Sequence, residues 1–411
     1  MATRFWNLIR SGASLTVVGG GGYVAYTDYR RYPRMIKAYS EGNILPPFKE
    51  NHHETVYFPR PGIERRVQAI LEPSFSNSYY LITGEVGSGK SRTIVEVVRE
   101  LRRTNGRRKH GAPIYVSAQQ GRSFPDCLAA TVNFRFDEHI SFSYFLDCML
   151  KIRPLPRRDE PHKLERVLDG IEESAFAYSK QYGRPVVIVV DGVDCLAGNM
   201  PDAIDKLLEK AKLWADTNTV KMVFVSNSEF VDRRMRKCPS CWSRAAAPIH
   251  IGDLTDGEAT SFLQRDKHLE SLAGEADLAS CMADSYARKT VGLVGGRINQ
   301  LIAVKSAWLG GASFEETACE LRQKEREKFL DVFRRPSAWK VIEVLRNAPD
   351  KRILLSRLIE KTNTNDVDLL MANDIIRCVR DSCGLSVALD SRLTEHIIEE
   401  LFRCNILLKS S

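Results

Sequence analysis

Cysteine is scarce in this chain: 10 of 411 residues, irregularly spaced. That excludes a disulfide-stapled scaffold and points to reduced thiols in an intracellular compartment. The lone Cys238-Pro239-Ser240-Cys241 has neither a second cysteine pair nor suitably spaced histidines beside it. This argues against a structural zinc site, and the pair reads as loop thiols. The pair His52-His53 reads as solvated loop. No small-x-small cleavage site precedes a disulfide-rich region, which argues against a secretory signal. Hydrophobic residues at 43% and charged residues at 27% exclude wholesale disorder. The length suits two to three domains and allows a full core without covalent staples.

Acids are almost missing from the first 40 residues. Asp28 stands alone against Arg4, Arg10, Arg30, Arg31, Arg34 and Lys37, so most of the net charge of +8 sits there. Such a basic start argues for targeting or a membrane surface before nucleic acid. On a helical wheel Phe5, Trp6, Leu8 and Ile9 share one arc, opposite Arg4, Asn7, Arg10 and Ser11. An acid-poor amphipathic start of this kind resembles a mitochondrial presequence. Residues 11–27 carry no charge, a length at the lower limit for a spanning helix of about 17–25 residues. Gly19 to Gly22 weaken that helix. The expectation is a targeting segment or short membrane anchor over residues 1–40, with membrane contact through 11–27. The corresponding location is mitochondrial, at the inner membrane, with the cytoplasm as the alternative.

The sharpest pattern is Tyr79-Tyr80-Leu81-Ile82-Thr83 followed by Gly84-Glu85-Val86-Gly87-Ser88-Gly89-Lys90-Ser91. An apolar strand running into G-x-x-x-x-G-K-S is the phosphate-binding loop, with Arg92 just past it. Gly84, Gly87 and Gly89 let the backbone curl, so that successive N–H groups face phosphate oxygens. Lys90 reaches the β- and γ-phosphates of ATP, and the Ser91 hydroxyl is a Mg²⁺ ligand. Thr93 to Leu101 reads as the helix whose N-terminus faces the nucleotide.

A second strand, Pro185 to Val190, is β-branched almost throughout and ends in Asp191-Gly192-Val193-Asp194. Asp191 is placed to hold Mg²⁺ opposite Ser91. Gly192 occupies the position where many AAA+ enzymes carry a glutamate that polarises the attacking water. The D-G-x-D pattern resembles signalling ATPases of the NACHT and wider STAND class, which leaves Asp194 as the candidate base. Cys195 stands where that class often has another acid. The resemblance therefore implies binding more firmly than rapid hydrolysis.

Three further strands are expected at Ala112–Ser117, Val220–Val225 and Pro248–Ile251, with a helix over Leu164–Tyr182. Alternating strands and helices imply a parallel sheet with right-handed crossovers. Asn227, at the end of the fourth strand, is the candidate γ-phosphate sensor. Thr255-Asp256-Gly257-Glu258 has capping-box spacing and opens a helical lid. Arg297, after Gly295-Gly296, is the candidate lid arginine, with a solvent-facing role as the alternative. Arg244 lies where AAA+ rings place an arginine finger, in competition with Arg233, Arg234 and Arg236; a finger supplied in trans implies a homo-oligomer. The run Arg107-Arg108-Lys109 reads as a solvated loop at a helix end.

Phe58-Pro59-Arg60-Pro61-Gly62-Ile63-Glu64, the glycine loop, and Trp242-Ser243-Arg244-Ala245 leading into Ile249-His250-Ile251-Gly252-Asp253-Leu254 together resemble fungal P-loop ATPases. Val294-Gly295-Gly296-Arg297 is also similar to the mitochondrial escape family, inner-membrane proteins linked to mitochondrial DNA maintenance. The likeness spans residues 57–325. The fold expected is α/β: an ASCE/AAA+-like P-loop core over 41–254 with a parallel five-stranded sheet, a helical lid over 255–325, and a C-terminal helical or winged-helix-like domain over 326–411. In that last part helices are expected at Trp339–Arg346, Ile353–Lys361, Asn373–Arg380 and Leu393–Phe402, with a strand or wing at Leu385–Leu389. Residues 336–411 carry no net charge, which favours a protein partner there over DNA. The functional expectation is an ATP-binding switch or ATPase; a scaffold with little hydrolysis and a DNA-maintenance protein are the alternatives.

Overall fold

The computed structural model describes residues 32–42, 57–106, 111–118, 123–136, 160–227, 235–236, 238–264, 276–381 and 384–403. The amphipathic start, residues 11–27, His52-His53, Arg107–Lys109, Arg233 and Arg234 lie outside them. Among the described residues no helix is long and apolar enough to cross a membrane.

All five expected strands form. They are β1 (Tyr80–Thr83), β2 (Ile114–Ser117), β3 (Val186–Asp191), β4 (Val220–Val225) and β5 (Ile249–His250). They pair in parallel in the order β2-β3-β4-β1-β5. Both faces of the sheet are covered, and the period of two along each strand assigns every side chain to one face. Leu81, Val116, Ile188, Val190, Met222 and Phe224 enter one core. Ile82, Tyr115, Val187, Val189, Val223 and Val225 enter the other, against the helices Pro61–Leu71 and Lys90–Gly106. Register brings Ser117, Asp191 and Val225 level, so β2, β3 and β4 end together beside the loop that leaves β1. Ligands of open parallel sheets bind at such carboxyl ends.

One boundary shifts. Residues 32–41 are helical, and Met35 and Tyr39 are fully buried in the core. Tyr39 meets Ser174 in a 2.8 Å hydrogen bond and packs edge-on against Tyr178, with ring centroids 5.7 Å apart. Apolar burial of this kind ties 32–40 to the ATPase core rather than to a targeting segment ending at residue 40.

The lid follows the core. Thr255 and Glu258 cap the helix Asp256–Gln264 reciprocally, with Thr255 N–H donating to Glu258 Oε2 at 2.8 Å and Glu258 N–H to Thr255 Oγ1 at 3.3 Å. The helices Ala276–Val294, Ile298–Leu309 and Phe314–Glu327 complete it.

The C-terminal part has its own core, built on Val341, Leu358, Leu370, Val387 and Ile397. Its elements are the helix Pro336–Arg346, β6 (Arg352–Leu354), helices Leu355–Lys361 and Thr364–Ala372, β7 (Ile376–Asp381), β8 (Gly384–Leu389) and the helix Arg392–Arg403. The strands pair antiparallel in the order β6-β8-β7, a winged-helix arrangement. The helix expected over Asn373–Arg380 is therefore strand β7. Ile376 and Cys378 are buried while Arg377 and Val379 are half-buried, the period of a strand. Asp374, at φ +51°, makes the turn that separates β7 from the helix before it.

Candidate nucleotide-binding site

The loop after β1 is held from behind by the chain leaving β5. Ile251 N–H donates to Thr83 C=O at 2.8 Å, and the buried Ser88 hydroxyl donates to Ile251 C=O at 2.8 Å. A Cβ on Gly84 would lie 2.1 Å from that same Ile251 oxygen, so only glycine allows the approach. Lys90 is buried and donates to Gly84 C=O at 2.9 Å and Glu85 C=O at 2.6 Å. Burial pulls its ammonium down to about 8, against the pull of Glu85, Asp191 and Asp194.

Across the loop, Asp191 is buried at the end of β3 and accepts a short hydrogen bond from the Tyr115 hydroxyl. Burial pushes its carboxyl up, and hydrogen bonds from Ser91 and Tyr115 pull it back. The Ser91 hydroxyl and the Asp191 carboxylate thus stand together as hard oxygen donors, the set that Mg²⁺ takes with phosphate oxygens and water. Among the described residues there is no group of three His, Cys, Asp or Glu that could hold a metal. A Mg²⁺ here would depend on Ser91, Asp191 and the nucleotide. Bound, it neutralises phosphate charge.

Gly192 follows with φ +75°, and its N–H donates to Val225 C=O at 3.0 Å. A glutamate in this left-handed backbone would be strained, so glycine here serves the turn as well as leaving out an acid. Asn227 ties itself to Asp194: its backbone N–H donates to Oδ1 at 2.8 Å and its Nδ2 to Oδ2 at 3.1 Å. The candidate sensor and the candidate base form one unit. The carboxylate still has lone pairs for a water.

A cleft of about 360 Å³ opens beside these groups. Gly87, Gly89, Lys90, Ser91, Arg92 and Asn227 line its polar side. Arg92 pairs with Glu96 at 3.0 Å. Tyr57, Phe58, Phe262, Ile298 and Ile302 line the other side, with Phe58 and Phe262 edge-on at 6.1 Å. This apolar wall suits a flat base. Sequence reading missed it, because its residues come from three separate segments; only the aromatic pair Tyr57-Phe58 before a Pro-started helix hinted at it.

The two arginine candidates are differently placed. Arg297 is buried and fully engaged. It donates to Asp253 Oδ1 at 2.7 Å, Val86 C=O at 3.0 Å, Asp390 Oδ2 at 3.0 Å and Asp390 C=O at 2.8 Å. Its solvent-facing alternative is overturned by that burial. Arg244 pairs with Asp216, and its C=O accepts from Tyr79 N–H at 3.0 Å. That places it at the opposite end of β1 from its own loop. Arg236 lies over the Trp242 ring, 4.2 Å from its centroid.

The loop also touches the C-terminal domain. Glu85 is buried and bonded to Arg377 of β7, with His250 at 3.4 Å. Burial opposes its charge, yet His250 and Arg377 hold the carboxyl at about 2. Sequence spacing gave no sign of this pair, which joins residues 292 apart.

Residues 74–233 match a known family of AAA domains. The chain carries an AAA-type P-loop ATPase domain. Domains of this type bind nucleotide, typically with Mg²⁺. No curated protein matches the chain. Among solved structures it is similar to a Walker-type ATPase of Pyrococcus abyssi, at 15% identity and TM-score 0.53, over 87% of this chain and 99% of that one. At that identity the likeness is one of fold. An ORC1 protein of Aeropyrum pernix in complex with DNA aligns at 17% identity and TM-score 0.44, over 92% of this chain and 98% of that one. An ADP form of ORC2 from the same organism aligns at 13% and 0.49, over 92% and 98%.

Proposed function

We propose that this chain is an ATP-dependent switch whose AAA domain reports nucleotide occupancy to the winged-helix-like domain. One observation carries the reading: the loop is joined to that domain directly by Glu85 with Arg377, and through the lid by Arg297, which donates to Val86 C=O and to Asp390. Phosphates drawn onto the loop compete electrostatically with Glu85 for Arg377 and rearrange the carbonyls around Lys90. The C-terminal domain then feels the state of the site directly. Hydrolysis resets the switch slowly, with Asp194, oriented by Asn227, as the base.

Hydrogen exchange and turnover test this together. Mg-ATP should change protection in β7 and in the helix Arg392–Arg403, and Arg377→Ala should remove that change with affinity kept within roughly threefold. Asp194→Asn should lower turnover roughly tenfold, about 1.4 kcal/mol of barrier. Identical exchange with and without nucleotide would end the switch reading. Turnover no higher than in Lys90→Ala would leave a nucleotide-binding scaffold instead.

The likeness of Val294–Arg297 to the mitochondrial escape family and the basic, acid-poor start support a mitochondrial site of action. A fluorescent fusion of residues 1–31 should reach mitochondria, and replacing Arg4 and Arg10 with Glu should prevent it. Diffuse cytosolic signal from the unmutated fusion would refute this location.

A further inference from the structure

Cys238 and Cys241 lie outside the nucleotide site, on the segment between β4 and β5. The chain there makes one helical turn, Pro239–Trp242, with Cys238 at its N-cap. Cys241 N–H and Trp242 N–H both donate to Cys238 C=O, at 3.1 and 2.9 Å. This turn brings the two sulfurs to 2.7 Å, already inside van der Waals contact. Their surroundings differ. Cys238 is half-buried, whereas Cys241 is 2% exposed and belongs to the main core. Hydrogen bonds from the Cys241 and Ser240 side chains pull the Cys238 thiol down, while burial pushes Cys241 up to about 11. An accessible, more acidic first cysteine and a buried, less acidic second one is the asymmetry that dithiol exchange needs.

We propose that Cys238 and Cys241 are a redox-active dithiol that exchanges with low-molecular-weight disulfides of the glutathione class. The Cys238 thiolate attacks one sulfur of RS–SR, breaking that bond and forming Cys238–S–S–R. The expelled RS⁻ takes up the proton that Cys238 lost. Cys241 then loses its proton and attacks the Cys238 sulfur, releasing the second thiolate, which is protonated in turn. Two electrons and two protons pass from the dithiol to the disulfide, giving one intramolecular bond and two RSH. Closing the sulfurs from 2.7 Å to a bond of about 2.0 Å asks little of the turn. The same segment is tied to the strand entering the phosphate loop: Tyr79 N–H donates to Arg244 C=O at 3.0 Å and Ala246 N–H to Tyr79 C=O at 2.9 Å.

The full chain, equilibrated in glutathione buffers of graded ratio, acid-quenched, alkylated and digested, tests the proposal by mass. The peptide spanning 238–241 should lose two hydrogens as the buffer is oxidised. In the reduced chain at pH 7, Cys238 should alkylate roughly tenfold faster than Cys241 and faster than the exposed Cys319. Cys241→Ser should halt the sequence with glutathione held on Cys238. A pair that stays reduced in the most oxidised buffer, or glutathione on Cys319 and Cys238 alike with no intramolecular bond, overturns the proposal. The unmutated chain decides the question even if Cys241→Ser does not fold.

Discussion

Lys90→Ala should weaken Mg-ATP binding by roughly a hundredfold, about 2.7 kcal/mol, with the fold intact by circular dichroism. The Lys90 ammonium is buried and held over the loop by two carbonyls, at 2.9 and 2.6 Å. No other cation of the loop lies among those carbonyls. Because burial lowers its pKa to about 8, the empty site loses this charge as pH rises through 8. Phosphates favour the ammonium, so binding takes up protons above pH 8 and affinity falls there. Stability moves the other way. The unfolded chain keeps this proton to about pH 10.4 and binds more protons than the fold between 8 and 10.4. The lysine therefore destabilises the empty fold below pH 8, and that cost is relieved as pH climbs towards 10. Titration calorimetry in two buffers of different ionisation enthalpy reads the uptake. Unchanged affinity in Lys90→Ala would refute the loop assignment.

Arg297→Ala should cost about 3–5 kcal/mol, read as a lower urea midpoint for the C-terminal domain. Burial opposes the Arg297 charge, but Asp390 and Asp253 outweigh it and raise the guanidinium further. Removing the side chain leaves Asp390 buried beside Asp253 with its principal cation gone. Arg297→Lys should recover only part of the loss, since an ammonium cannot serve Asp253, Val86 and Asp390 in one plane. The double change Arg297→Ala with Asp390→Asn should cost less than the sum of the two singles, because the stranded carboxylate is then neutral. Additive effects would mean that the two residues do not share an interaction.

The AAA core was legible because its signals are local. Val186–Val190 and Val220–Val225 are nearly unbroken apolar runs, which only a strand covered on both faces accommodates. The spacing of Gly84, Gly89, Lys90 and Ser91 is itself the geometry of the loop. Asp191 was legible in the same local way, as the acid that ends the apolar run of β3. Asn373–Arg380 was misread because a short run containing Ile375, Ile376 and Val379 fits either period until its partner strand is known. Tyr115 carries no sequence signal beyond its place in β2, and only packing reveals its hydroxyl against Asp191.

By itself the sequence determined the parallel sheet, the phosphate loop and the aspartate that ends β3, since each depends on neighbours within about ten residues. It also showed that the position after Asp191 is glycine, and the tertiary structure added the reason, a left-handed backbone at φ +75°. What Arg297 and Arg244 pair with was decided only in three dimensions. Each was chosen by its place along the chain, yet one is buried between Asp253 and Asp390 while the other pairs with Asp216 far from its own loop. The pairing of Glu85 with Arg377 belongs to the same class. A charge shows its type in sequence, but its partner is selected by which surfaces fold together, and desolvation there sets whether the pair can exist at all.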